Sequence, residues 1–214
     1  MIGTTRNLVA RARQQLSPPI IVTEIFERTK LVTFGLEELS ALDISAETRV
    51  FLTEIGMPPS RCADMHFSPG CAKPIEFFVA NEAEIPPVLE GSAVIGTIRH
   101  ASMLLGYDGS LILSHVSRNK KRIQYHGYIS RSLDAFAAQI AIKVDLRKYS
   151  RPSGAYNEFF ESKPYTGEFV GTSPEVIEAV FQSELCTIDP RATKTEYSYW
   201  RSVIESLRSV KFAI

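Results

Sequence analysis

Three side chains that can bind a transition metal lie close together in the sequence. Cys62, His66 and Cys71 fall within ten positions. A fourth ligand could come from His100, His115 or His126. Structural zinc sites commonly pair two cysteines two to four residues apart, whereas the spacings here are Cys-x3-His and His-x4-Cys. The pattern is more typical of a loop with two incidental thiols, so we predict no metal site.

The same residue types could support nucleophilic catalysis. Three cysteines and four histidines would permit a Cys–His–Asp hydrolase, but nothing in the sequence marks a cysteine as activated. The glycines from 91 to 109 are scattered through strands and turns and form no phosphate-binding loop. We therefore predict a protein that is not an enzyme, with no catalytic or cofactor-binding residues and no cofactor.

A basic cluster could bind nucleic acid. The run Arg118-Asn-Lys-Lys-Arg122 precedes Tyr125 and Tyr128, and lysines with nearby aromatic rings can contact phosphates and stack on bases. A hairpin loop whose lysines keep a strand edge soluble would look the same. Nucleic acid is therefore an alternative partner that we rank below a protein.

The charge is balanced overall but unevenly distributed. The 214 residues carry a formal net charge of +0, and 44% of them are hydrophobic, as expected of a folded domain. Residues 51–116 contain three basic and seven acidic side chains, whereas residues 117–151 contain nine basic and two acidic ones. Such blocks can steer a partner of opposite charge, or simply be solvated faces.

The chain shows the features of a cytoplasmic protein. Three cysteines, an odd and small number, indicate a reducing compartment rather than a disulfide framework. The arginines near the N-terminus precede no apolar run of a secretory signal, and no apolar run approaches the length of a membrane span. We expect no membrane partner.

Strand signals concentrate in the middle of the chain. Apolar runs predict strands near 93–99, 102–107, 110–116 and 122–129, with shorter ones at 31–34 and 75–79. Asp108-Gly109 is a typical hairpin turn, because both residues tolerate positive φ. In the last strand Ile123, Tyr125 and Ile129 alternate with polar residues, which indicates one buried and one wetter face.

Helix signals lie before and after these strands. Ser45 is a good N-cap for a helix that Gly56 would close in a left-handed conformation. Ser130 or Ser132 would cap an amphipathic helix from about residue 133 to 144. Later helices begin at Ser173-Pro174 and near Trp200, with Asp189-Pro190 as a turn between them. These elements predict an α+β fold, in which helices pack around a mainly antiparallel sheet of about five or six strands.

The ordered motifs resemble the SUKH superfamily, and specifically its fourth immunity-protein family. The run from Ile44 to Pro58 is similar to that family's opening helix, and Ile95 together with the Gly-Tyr-Asp-Gly-Ser turn at 106–110 resembles its central strands. The junction Tyr128–Phe136 and the closing segment, with Asp189-Pro190 followed by a Trp200 helix, complete the match. We expect one domain over 1–214, with a SUKH (Smi/Knr-like) core at about 30–210 and a loosely docked helix at 5–16.

The resemblance implies an immunity protein of a bacterial polymorphic toxin system. Such a protein would bind a cognate toxin domain, with a nuclease as one candidate, and neutralise it by steric occlusion. Because many nucleases are basic where they hold phosphate, we predict partner-binding residues in the acidic stretch at Glu82, Glu84, Glu90 and Asp108. A regulatory adaptor of the same fold, without a toxin partner, is the other alternative.

Overall fold

The computed structural model describes residues 31–58, 65–79, 84–98, 101–116, 123–147, 150–151, 168–169 and 174–208. The helices in these ranges are α1 Leu36–Ser40, α2 Ala46–Val50, α3 Leu133–Arg147, α4 Pro174–Ile188, α5 Pro190–Lys194 and α6 Tyr199–Arg208. The strands are β1 Met65–Phe67, β2 Lys73–Pro74, β3 Ala93–Ile98, β4 Ala101–Leu105, β5 Leu111–Val116, β6 Ile123–Ser130, β7 Ser150–Arg151 and β8 Glu168–Phe169. The predicted helix at 5–16 lies outside the described residues.

Six strands form one antiparallel sheet. The order is β1-β3-β4-β5-β6, and β2 also pairs with β3, beside β1. The four predicted central strands are all present within two residues of their expected ends. The predicted α+β architecture with an antiparallel sheet is confirmed. A separate two-stranded ladder joins β7 to β8.

The segment 75–79 was predicted to be a strand, and this is wrong. Ile75–Phe78 forms a 3₁₀ turn directly after β2. The backbone N–H of Ile75 donates to the Ser92 carbonyl at 2.9 Å, and its side chain is fully buried. The ladder along β3 ends at Pro74, so the chain turns inward and Ile75 fills a core position.

The sheet has apolar residues on both faces. The larger core lies between one face and the helices, and it includes Phe136 of α3, Phe181 of α4 and Trp200 of α6. The smaller core lies on the other face of the sheet, and the 3₁₀ turns Ile75–Phe78 and Pro87–Leu89 cover it. Trp200 is fully buried, and its indole N–H donates to the Ile129 carbonyl at 2.9 Å, so it is a core residue.

Two bulges change the faces of β6. Register shifts against β5 occur between Leu111 and Ile112 and between Leu113 and Ser114. Each inserts one residue into β6 and resets the two-residue alternation. Ile123 therefore belongs to the smaller core and Ile129 to the larger one. The expectation that Ile123, Tyr125 and Ile129 share one buried face is wrong.

The first predicted helix is present, with an altered end. The Ser45 hydroxyl accepts from the Thr48 backbone N–H at 3.1 Å, which confirms the N-cap. After α2 the chain continues as a π-helical turn, Phe51–Ile55, which the Gly56 N–H closes by donating to the Phe51 carbonyl at 2.7 Å. Gly56 has the expected positive φ of 88°, but its ψ of 171° is extended rather than left-handed helical.

Two other predictions concern the strand at 31–34 and the N-cap of α3. The predicted strand at 31–34 is reduced to a single antiparallel bridge between Val32 and Met57. Of the two serines that could cap α3, Ser132 does so: its hydroxyl accepts from the Ala135 N–H at 3.2 Å. Ser173 lies outside the described residues. None of the described helices is long and apolar enough to span a membrane.

Candidate partner-binding site

A groove of about 400 Å³ lies on the face of the sheet that carries the smaller core. Six segments of the chain meet there: the 3₁₀ turn Pro87–Leu89, the β4–β5 loop, β5, β6, the β6–α3 junction and α5. The lining residues are Val88, Asp108, Ser110, Ile112, Tyr125, Tyr128, Arg131 and Arg191. We call this pocket the sheet groove. It combines an apolar floor with two guanidinium groups, one carboxylate and two tyrosines.

A buried carboxylate holds the basic side of the sheet groove together. Asp189 is 1% exposed. Its Oδ2 accepts from the Tyr128 hydroxyl at 2.6 Å and from the Arg131 backbone N–H at 2.9 Å, while its Oδ1 accepts from the Arg191 backbone N–H at 3.0 Å. These bonds join β6, the β6–α3 junction and the start of α5. A carboxylate with three donors is satisfied despite burial.

Asp189 was predicted to lie in a turn, and in the structure this turn is the start of a helix. It is the N-cap of α5, with Pro190 in the first helical turn. An Asp cap followed by Pro is a favoured helix start. The cap satisfies one free N–H of the short helix, and the second oxygen is left for the two donors near β6.

The guanidinium of Arg191 lies over the Tyr128 ring, with 4.4 Å between the guanidinium carbon and the ring centroid. This is the geometry of a cation–π contact. Burial, followed by the hydrogen bond to Asp189 and its charge, raises the pKa of Tyr128 above its ordinary value of 10.0, although Arg191 opposes the shift. Tyr128 is therefore a neutral hydrogen-bond donor at physiological pH.

A glycine allows the edge strand β6 to lie close to the segment that precedes α6. The Tyr128 N–H donates to the Tyr197 carbonyl at 2.7 Å. A Cβ at Gly127 would lie 2.7 Å from that same carbonyl oxygen. Only glycine allows the approach of the two chain segments, and this approach fixes Tyr128 in the groove floor.

Tyr125 is the exposed tyrosine of the sheet groove, with 38% of its surface accessible. Partial burial raises its pKa above 10.0, and the charge of Arg191 acts in the opposite direction. Its hydroxyl therefore stays protonated at neutral pH and can donate to a bound partner. Val88, which is 60% exposed, offers an apolar surface in the same groove.

The β4–β5 loop supplies the acidic side of the sheet groove. Asp108 Oδ1 accepts from the Ser110 backbone N–H at 3.0 Å, and Gly109 has a φ of 81°. Burial alone would raise the pKa of Asp108, but hydrogen bonds from Ser110 and the charge of Arg191 outweigh it, and the pKa is lowered. Asp108 is thus a stable anion opposite two arginines.

The predicted partner-binding residues fall in different places. Asp108 lines the sheet groove. Glu84 and Glu90 are exposed, and Glu90 follows the 3₁₀ turn that contributes Val88. Glu82 lies outside the described residues, as does the basic run Arg118–Arg122. The structure therefore brings one predicted residue into the groove, and the partner-binding role of all four stays a prediction.

The residues weighed for metal binding are partly described. His66 is exposed on β1 and pairs with Thr97, and Cys71 is exposed. Within the described ranges no three His, Cys, Asp or Glu side chains are placed to hold a metal ion. Cys62 is outside these ranges.

The sequence reasoning missed most of the sheet groove. Arg131, Arg191 and Asp189 were not proposed as site residues, and Tyr125 and Tyr128 were considered for binding only as part of the alternative nucleic-acid site beside the basic run. The available signal was Asp189-Pro190 after a helix, because an Asp–Pro pair favours an N-cap. That pattern indicates a helix start but not which distant donors the second carboxylate oxygen will find.

Comparison with known families agrees with the fold. The model of the SUKH-4 immunity protein family matches residues 21–206. The chain therefore belongs to the SUKH-4 immunity protein family, which confirms the resemblance drawn from its motifs. The matched range overlaps the core predicted at about 30–210, while the single-domain organisation stays a prediction. No curated protein and no solved structure matches the chain.

Proposed function

We propose that the protein binds the toxin domain of a polymorphic toxin system and neutralises it by covering the toxin's active site or substrate groove. The observation that carries this proposal is the SUKH-4 match, which extends over residues 21–206. The family is one of immunity proteins. Immunity requires the protein to recognise a toxin in the cytoplasm of the cell that makes the protein. Binding alone suffices for protection if it blocks substrate access.

The sheet groove has the composition of a protein-binding site. Tyrosine and arginine are enriched at interfaces and among the residues that contribute most to affinity. Seven large apolar or aromatic side chains are exposed in the described ranges, and two of these, Val88 and Tyr125, line the groove. A third, Tyr107, directly precedes Asp108. These side chains would be the apolar anchors of the interface.

The acidic residues would act mainly on association. We propose that Glu82, Glu84, Glu90 and Asp108 attract a basic toxin surface, as a nuclease with a phosphate-binding groove would present. Exposed charges of this kind raise the association rate more than the final affinity, and salt screens them. Changing all four to Asn or Gln should slow association several-fold at low salt and leave dissociation nearly unchanged.

The test is rescue of poisoned cells and direct binding. Candidate toxin domains encoded by neighbouring genes of the native host would each be expressed with and without the protein, and complex formation would be measured by calorimetry. We expect restored growth and a 1:1 complex. Tyr125→Ala should raise the Kd about 10-fold or more. The matched control is Arg201→Ala, an exposed α6 residue paired with Glu205, which should bind like wild type.

Other results would contradict the proposal. No rescue and no complex with any toxin of the native host would remove the immunity role. Capture of a regulatory complex without a toxin would favour the adaptor function. Salt-dependent retention of DNA or RNA, lost when Lys120, Lys121 and Arg122 are changed to Ala, would favour nucleic-acid binding.

A further inference from the structure

Two arginines of the sheet groove are held in place by one buried group. The backbone N–H groups of Arg131 and Arg191 donate to different oxygens of Asp189, so their Cα positions are fixed relative to each other. Both residues are exposed, and both line the groove. A rigid base that carries two exposed arginine side chains is the arrangement expected of a pre-organised anion site.

The contact with the Tyr128 ring orients the Arg191 side chain. A guanidinium over an aromatic ring is oriented before a ligand arrives, so less side-chain entropy is lost on binding. The ring itself is held by its hydroxyl bond to Asp189. Because cation–π contact uses the face of the guanidinium, the N–H donors around its edge are left for a planar anion.

The charges of the lining favour an anion over a cation. Two arginines face one carboxylate, Asp108, which already accepts from the Ser110 N–H. Asp189 lies behind the lining, and three donors occupy its oxygens. A volume of about 400 Å³ admits an amino-acid side chain, and Val88, Ile112 and Tyr125 offer an apolar wall for its methylene groups.

We infer that the sheet groove receives an acidic side chain of the partner protein, whose carboxylate is held by Arg131 and Arg191. This inference rests on the proposed function and specifies the chemistry of the partner at this site. The toxin would present an Asp or Glu on a protruding segment, near basic residues that face the acidic side of the groove at Asp108. A carboxylate is favoured over a phosphate because the apolar wall suits an aliphatic stem and because Asp108 would repel a dianion.

The first arm of the test needs no toxin. N-acetyl-glutamate N-methylamide would be titrated into the ¹⁵N-arginine-labelled protein, with the glutamine analogue as its uncharged match. We expect the Nε–H signals of Arg131 and Arg191 to shift with the glutamate probe alone, while that of Arg201 does not move. Equal shifts at Arg201, or no shift, would overturn the inference. Tighter binding of inorganic phosphate or an oligonucleotide at the same arginines would overturn it in favour of a phosphate ligand.

The second arm uses the complex with the toxin domain. Arg131→Ala and Arg191→Ala should each raise the Kd about 10- to 100-fold, and Arg191→Lys should recover only part of the loss, because a lysine lacks the planar fork. The Ala variants keep the backbone donors to Asp189 and should fold normally. Arg191→Glu should be rescued by one Asp→Lys or Glu→Lys change in the toxin.

The two proposals fail in different ways. If wild type binds the toxin and all arginine variants bind equally well, the inference is overturned while the immunity function stands. If the glutamate probe shifts both arginines but the toxin does not bind, the proposed function fails and the carboxylate site survives.

Discussion

Replacing Asp189 by Ala should destabilise the protein strongly, because three donors lose their acceptor at once. The Tyr128 hydroxyl and the backbone N–H groups of Arg131 and Arg191 all donate to this 1% exposed carboxylate. A hydrogen bond to a charged group contributes about 1.5–3 kcal/mol, and a buried donor left unsatisfied costs about 1–3 kcal/mol. The three losses overlap, since water from the groove can reach part of the space.

We therefore expect Asp189→Ala to lower the free energy of unfolding by about 3–5 kcal/mol, the lower part of the range expected for three unsatisfied buried donors at about 1–3 kcal/mol each. For a chain of this size each kcal/mol lowers the melting temperature by about 2–4 °C, so the expected fall is on the order of 10 °C. Asp189→Asn should cost about 1.5–3 kcal/mol. Its amide oxygen can keep the two donors of Oδ2, but its NH₂ group would face the Arg191 N–H.

The assay is urea unfolding followed by the fluorescence of Trp200. This is the single tryptophan of the chain, and it is fully buried, so its emission reports the loss of the larger core. Asp43→Asn, at an exposed position, is the matched control and should change stability by less than about 0.5 kcal/mol. If Asp189→Ala unfolds within 1 kcal/mol of wild type, the carboxylate does not hold these segments together and the reasoning is refuted.

Three further predictions use other contacts. Gly127→Ala places a Cβ 2.7 Å from a backbone carbonyl oxygen and should cost about 1–3 kcal/mol in urea unfolding. The control Gly35→Ala changes the N-cap of α1 and has nothing within 4 Å of the added Cβ, so it should cost less than about 1 kcal/mol; equal effects would contradict the close approach. Burial and then the charge of Glu47 raise the pKa of Asp134, so Glu47→Gln should lower it in a carboxyl NMR titration, and an unchanged pKa would exclude the coupling. Because the folded pKa of Tyr128 is raised, its contribution to stability is present below pH 10 and lost as the pH rises further. Tyr128→Phe should therefore lose stability less steeply above pH 10 in thermal unfolding, and identical slopes would be inconsistent with the Tyr128–Asp189 bond.

Local patterns in the sequence predicted the main elements well. The hydrogen bond that caps α2 at Ser45 and the positive φ of Gly109 depend on residues within a few positions of each other. The central strands and α3 follow from apolar periodicity, which a short window contains in full. Even the SUKH-4 family could be recognised in this way, because the order of such local motifs carries the resemblance.

The errors lie where one residue shifts the alternation of a strand or ends its pairing. The two bulges of β6 are invisible in its alternation, yet they send Ile123 and Ile129 to different cores. The turn at Ile75–Phe78 has the composition of a strand, but Pro74 ends the ladder and the smaller core needs Ile75. Tertiary packing overrides local propensity at both places.

The sheet groove is the part that only the tertiary structure decided. Asp189 accepts hydrogen bonds from Tyr128 and Arg131, which are 61 and 58 residues away in the chain. Sequence alone determined the four central strands, the main helices and the family, because those depend on neighbours along the chain. It could not determine which side chains share a buried carboxylate, because that depends on how α5 docks against β6, and docking is a property of the whole packed chain.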